Sequence, residues 1–339
     1  MKKVLALGLS VVMGLSMVTA AAASDDLGWK SGDTVYFDVP AKAGGGTDLM
    51  VRYAIAGFNE YLDGVNFVVT NYDTQEVGAQ HVAKADPDGY TLTVASSVNM
   101  DNYLSGASEV NPVEDLTVLA KIGDGGPQAF IVGPDAPYST FPELCEYIKE
   151  NPMQVIVGVA LGGTSQLCWI GALNGYEEGL ADMVTYVQAG SEADKLTNVA
   201  SGAIHAGNCS INNADAYQQD GKVKVIGITG PVDKKLADIN ETFGLSLDDS
   251  FLTLPEQGVD TGWASGFYVM GPAGMDEELV KALNAQLADV VNANAYLEGM
   301  NAMGQFIVPK TLEESQADFQ AEWDAQVELM TGLGMNIRG

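Results

Sequence analysis

The sequence predicts an α/β fold with largely parallel sheets, divided into two domains. Three observations lead there. Short runs of β-branched and aromatic residues alternate with stretches of helical period. Three of the strand-to-helix junctions are rich in glycine and hydroxyl residues. The 339 residues, 47% of them apolar, exceed what one hydrophobic core usually serves.

Taken in chain order, Thr34–Val39 alternates as a strand does, and Leu49–Leu62 reads as the amphipathic helix that follows it. Further strands are expected at Phe67–Thr70, Thr91–Ala95, Ala129–Val132, Val155–Val159, Val184–Val187, Val223–Ile228 and Gly266–Met270. Helices are expected at Pro142–Glu150, Ser165–Asn174 and Ser191–Ser201. Asp276 opens a helix in which Leu279, Val280, Leu283, Leu287, Val290 and Val291 recur at helical spacing. Thr311-Leu312-Glu313-Glu314 is a capping box that opens another, through Trp323. These two helices should pack back onto the first domain. The expected domains are 24–126 with 258–339, and 127–257, with crossings near Gly123–Pro127 and Pro255–Trp263.

Residues 1–23 have the pattern of a cleavable export signal. Lys2 and Lys3 precede the apolar run Val4–Val18, and Ala21-Ala22-Ala23 supplies small residues before Ser24. No cysteine follows the run, so a lipid anchor there is not expected. The formal net charge is −29, and cleavage would remove two lysines and no acid. Such a surface repels nucleic acid and anionic membranes over a Debye length of about 8 Å. Cys145, Cys168 and Cys209 are too few for a disulfide scaffold. Buried free thiols are favoured, and Cys168–Cys209 is the pairing if one bridge forms.

The strongest functional signal is the run Val39-Pro40-Ala41-Lys42-Ala43-Gly44-Gly45-Gly46-Thr47-Asp48 between a strand and a helix. Glycine lets backbone approach a ligand closely, and a helix N-terminus offers unpaired N–H groups and partial positive charge. Thr47 and Asp48 are residue types that cap helices. The run therefore reads as a cradle for an anion, or as an ordinary tight connection. A second such loop is Gly158-Val159-Ala160-Leu161-Gly162-Gly163-Thr164-Ser165, and a third is Val187-Gln188-Ala189-Gly190-Ser191. Open α/β sheets bind ligands beyond the carboxyl ends of their strands, where all three loops belong. Convergence on one cleft would clamp an anion between the domains.

From about Val35 to Trp323 the chain resembles the periplasmic solute-binding receptors of tripartite tricarboxylate transporters, the Bug-type receptors. The resemblance is carried by Pro40, by Ala43 through Asp48 with Arg52, and by Val82-Ala83-Lys84-Ala85-Asp86-Pro87-Asp88-Gly89-Tyr90-Thr91-Leu92. Gly163-Thr164-Ser165, Gly190-Ser191, Gly221-Lys222 and Gly271-Pro272-Ala273-Gly274 match further. It implies a type II, Venus-flytrap binding protein with a parallel-rich mixed sheet in each domain. Such a protein captures a small carboxylate and presents it to membrane subunits of the transporter. It implies that Gly45, Gly46, Thr47 and Asp48, beside Ala43 and Gly44, line one half of the site. Gly162, Gly163, Thr164 and Ser165 would line the other, with Gln188, Gly190 and Ser191 nearby. A periplasmic monomer without cofactor, metal or catalysis is expected. The chain departs from the family pattern at Ala41, Lys42, Tyr72–Val77, Leu167 and Gln188, all near ligand-facing loops.

Other residues carry weaker signals. His81 and His205 lie on different segments and lack the spacing of a zinc site. Asp48 is expected both to orient amides and to cap the helix, and Arg52 either pairs with it at (i, i+4) spacing or reaches the cleft. Trp169, Trp263 and Tyr186 are candidates for the pocket wall, but aromatic residues more often fill the core. The Lys84–Tyr90 segment reads as a helix end turning into a strand. A secreted enzyme is the rival class, against which the chain lacks a nucleophile elbow, a phosphate-binding P-loop and clustered metal ligands. A receptor feeding a signalling partner fits the same residues.

Overall fold

A computed structural model describes residues 27–41, 43–72, 75–229, 234–259, 265–307, 309–332 and 334–338. Residues 1–23, expected to form an export signal, and Lys42 and Trp263 lie outside the described residues. The strands are β1 (Thr34–Val39), β2 (Asn66–Asn71), β3 (Thr91–Ala95), β4 (Leu116–Asp124), β5 (Gln128–Val132), β6 (Ile156–Val159), β7 (Thr185–Gln188), β8 (Ala206–Ser210), β9 (Lys224–Ile228) and β10 (Gly266–Pro272). The helices are α1 (Gly46–Phe58), α2 (Gln75–Ala83), α3 (Ser97–Leu104), α4 (Phe141–Glu150), α5 (Thr164–Tyr176), α6 (Glu192–Ala200), α7 (Ile211–Gln219), α8 (Leu236–Phe243), α9 (Glu277–Ala288), α10 (Asn294–Ala302) and α11 (Leu312–Gly332).

Two five-stranded sheets share one design. The first has the order β2-β1-β3-β10-β4 and the second β7-β6-β8-β5-β9. In each, the first three strands run parallel and the fourth runs antiparallel to both neighbours. That fourth strand, β5 or β10, is the one the chain forms just after passing from the other sheet. The architecture is the two-domain α/β binding fold that the sequence indicates.

Each sheet is buried by its own core. In the first, Phe37 and Phe58 stack at 6.2 Å, and Trp29 packs edge-on against Phe67 at 5.7 Å while its indole donates to the Gly89 carbonyl at 2.9 Å. That bond ties down the turn between α2 and β3, so the family-like Lys84–Tyr90 segment serves structure. In the second, Phe130, Phe141 and Trp169 form an aromatic triad, with Phe130 edge-on to Trp169 at 4.7 Å. Each such fully buried side chain contributes about 1.5–3 kcal/mol. Trp169 is therefore core, and Tyr186 packs at the margin of the same cluster. All three cysteines are buried and free.

Two strands are additions to the sequence reading. Ala206–Ser210 contains no β-branched residue, and it is a strand because it sits between β6 and β5. Leu116–Asp124 carries Lys121, a residue unexpected in a buried strand. Its ammonium meets Asp124 at 2.7 Å, Asp318 at 2.9 Å and Glu322 at 3.7 Å, the last two from α11. The closing helices do return to the first sheet. Asn284 of α9 donates to the Leu119 carbonyl at 2.7 Å, and Ser315 of α11 accepts from the Lys121 amide at 3.0 Å. Thr311 and Glu314 form the expected capping box, with bonds of 3.2 and 2.8 Å. The helix runs on past Trp323 because Gln326 and Met330 find buried partners on α3 and α5.

Candidate functional site

The loops after β1 and β6 are built alike. In the first, Gly44 takes φ +80°, Gly45 is the extended N-cap and α1 begins at Gly46. In the second, Gly162 takes φ +74°, Gly163 is the N-cap and α5 begins at Thr164. Left-handed φ at these two positions suits glycine alone among common residues. Both loops also use one locking bond. The Gly44 amide donates to the Asp48 carboxylate at 2.8 Å, and the Gly162 amide to the Gln166 side-chain oxygen at 2.7 Å.

The helix starts differ from expectation. Thr47 and Asp48 do not cap α1 but lie inside its first turn, and Ser165 likewise lies inside α5. A glycine N-cap has no side chain to bond the first amides. Among the described residues, the amides of Gly46, Thr47, Thr164 and Ser165 accordingly have no hydrogen-bond acceptor. Each helix start thus keeps open donors and its share of the helix dipole.

Both helix starts open onto one cavity of about 350 Å³, lined by residues of both domains. Gly46, Thr47, Ser96 and Ser265 come from the first, with Phe267, Met303 and Gln305. Thr164, Ser165, Cys168, Lys195, Asn208 and Gln128 come from the second, and Gly125 and Gly126 of the crossing form the back. The Gly126 amide donates to the Gln305 side chain at 2.9 Å, and Gly125 to the Ser265 carbonyl at 2.8 Å.

Of the expected site residues, Gly46, Thr47, Thr164 and Ser165 line this cavity. Ala43, Gly44, Gly45, Asp48, Gly162, Gly163, Gln188, Gly190 and Ser191 do not. Their roles lie behind the wall. Asp48 is 1% exposed and accepts from Gly44, from Arg52 at 3.0 Å and from Asn71 at 2.9 Å. Burial pushes its carboxyl up, but these donors together outweigh burial and hold it below the usual value. It is ionised and satisfied by the donors of its own loop, of Arg52 and of Asn71, away from the cavity. Arg52 is spent on this pair and on Asn71, outside the cavity. Gln188 accepts from the Leu161 amide at 3.0 Å and so braces the second loop from the third. Ser191 caps α6 by accepting from the Asp194 amide at 3.0 Å.

The hydroxyls are partly committed. Ser165 Oγ accepts from the Ala160 amide at 2.8 Å and keeps its own proton to donate. Thr164 Oγ1 donates across the domains to Asp101 Oδ2 at 3.0 Å, so its backbone amide is what it offers a ligand. Lys195 and Asn208 were missed by sequence reasoning. Lys195 follows Ser191 by one turn and precedes the buried Val199 by one turn, which places a cation on the apolar face of α6. That mismatch was the available signal. His81 pairs with Asp38, and His205 accepts from the Ile156 amide at 3.0 Å. Among the described residues no cluster of three or more His, Cys, Asp or Glu is placed to hold a metal.

Two α/β domains with one anion-competent cavity between them define a solute-binding protein. The chain belongs to the tripartite tricarboxylate transporter receptor family, whose model matches residues 52–317. A UPF0065 protein from Agrobacterium vitis is 26% identical over 311 residues, 87% of this chain and 83% of its own. A TctC solute-binding protein from Polaromonas superposes with a TM-score of 0.71 at 20% identity, covering 88% of this chain and 98% of that one. A Rhodopseudomonas palustris structure with adipate gives 0.69 at 23%, covering 89% and 97%.

Proposed function

We propose that this protein is a periplasmic receptor that captures a small carboxylate in the interdomain cleft and hands it to the membrane subunits of a tripartite tricarboxylate-type transporter. It acts as a monomer, exported through residues 1–23, with domains of 24–126 plus 258–339 and of 127–257. One observation carries the reading: two uncapped helix N-termini, one from each domain, open onto the same cavity. A carboxylate there would accept from the amides of Gly46 and Thr47 on one side and of Thr164 and Ser165 on the other. Hydrogen bonds to a charged group contribute about 1.5–3 kcal/mol each, and a helix end about 0.3–2 kcal/mol. Four such contacts, less the costs of ordering and closure, leave about 8 kcal/mol, a micromolar dissociation constant.

Family membership supports the transporter partnership, and the adipate held by the Rhodopseudomonas palustris protein supports a carboxylate. The satisfied state of Asp48 and the pairing of Arg52 support recognition by backbone dipoles over a charged clamp at this end. The test is a thermal-shift screen of the mature protein against mono-, di- and tricarboxylates and aromatic acids. At least one acid should raise the melting temperature in a concentration-dependent way, as mass action requires. Indifference to every acid, with stabilisation by neutral sugars or cations, would contradict the reading.

A further inference from the structure

Two lysines are buried to the same degree, each 6% exposed, and their surroundings are opposite. Lys121 sits among three carboxylates. Lys195 lines the cleft, and its ammonium donates to a neutral group, Asn208 Oδ1, at 3.2 Å. Asn208 is itself 2% exposed, and its Nδ2 donates to Gln128 at 3.4 Å, which leaves Oδ1 turned to the lysine. Among the described residues no carboxylate lies within ion-pair distance of Lys195.

The nearby titratable groups make no direct pair with it. Glu192, on the same helix, acts on Lys195 through its charge at a distance, but its carboxylate is occupied by the Ser210 amide and hydroxyl, both at 2.6 Å, and by Asn213 at 3.1 Å. Burial pushes the Cys168 thiol up to about 12, and it raises Cys209 as well, so both remain neutral. Burial also depresses Lys195, whereas at Lys121 the surrounding carboxylates outweigh burial and raise it. A buried cation without a counter-ion is costly, and an ammonium has three donors, of which Asn208 takes one.

We propose that Lys195, held by Asn208, forms a second anion subsite in the cleft and makes the receptor select dianionic ligands, small dicarboxylates, over monoanions of the same shape. This rests on the carboxylate-receptor reading. One carboxylate sits at the paired helix ends, and the other supplies the counter-ion that Lys195 lacks. The cavity of about 350 Å³ is at the small end for ligand pockets, which suits such a compact diacid. In a chain of net charge −29, a buried cation lining the cleft provides the local attraction that the surface denies a dianion.

The experiment measures binding of succinate, glutarate and adipate, each beside its monoamide, by calorimetry on the wild type and on Lys195→Met. The wild type should bind its preferred diacid about tenfold or more tightly than the matching monoamide. In Lys195→Met that ratio should fall towards one. Lys195→Gln, which keeps a donor for Asn208, should show the same loss if the methionine variant folds poorly. Without ligand, Lys195→Met should melt no lower than wild type. Equal affinity of diacid and monoamide in the wild type, discrimination retained in both variants, or a large drop in unliganded stability in both would overturn the inference alone. Failure of every acid to bind the wild type would overturn the carboxylate reading and the inference together.

Discussion

Asp101 shows how one side chain links recognition to stability. It is 2% exposed, on α3, and accepts from Thr164 of α5 and from Gln326 of α11. Burial raises its carboxyl from 3.8 to about 6, against the pull of those two donors. The folded state therefore binds more protons than the unfolded chain between these values, and stability falls as pH rises from about 4 through 6. Asp101→Asn should flatten the wild-type decline in that window, a difference of up to about 3 kcal/mol read from urea unfolding at several pH values. Parallel pH profiles for the two proteins would rule this out. At the ligand, Thr47→Ala with Ser165→Ala should weaken binding of the preferred acid about tenfold. The cost in stability should stay near 1 kcal/mol, from the Ala160 amide losing Ser165. Unchanged affinity by calorimetry would remove these hydroxyls from the site.

At the scale of elements, the repeated glycine loop between a strand and a helix was legible in the sequence, because glycine and hydroxyl spacing specify it locally, whereas the absence of a side-chain cap was not. The first residues of the helices were not. Thr47 and Asp48 are good caps in isolation, but the bond from Gly44 to Asp48 draws the aspartate into the first turn. Lys121 and Lys195 hid strand β4 and a cleft residue for a related reason. What makes each tolerable, three carboxylates for one and Asn208 for the other, comes largely from distant segments. The chain passes from the first sheet to the second after β4, and the structure shows why one glycine of that passage is fixed. A Cβ on Gly126 would lie 1.8 Å from the Gly304 carbonyl oxygen. Gly126→Ala should therefore destabilise the protein by roughly 3 kcal/mol and impair binding, since the crossing forms the back of the cavity. A variant with wild-type unfolding midpoint would show that the backbone there yields freely.

Over the whole molecule, the two sheets are joined by the short passage from β4 to β5 and by a contact beside the cleft. Leu104 of α3, Leu167 of α5 and Met330 of α11 bury one another there, next to the Asp101–Thr164 bond. Leu167, fully buried, serves this apolar contact between the domains. The proposed receptor function calls for hinge closure of these domains about the ligand. Small-angle scattering should give a smaller radius of gyration with saturating ligand than without, and equal dimensions would argue against closure. The central claim is that amide groups at two facing helix ends grip one anion. An NMR titration of ¹⁵N-labelled protein with its preferred carboxylate tests it most directly. The amides of Gly46, Thr47, Thr164 and Ser165 should shift together and yield one dissociation constant. Shifts confined to one domain, or absent from all four, would contradict the account.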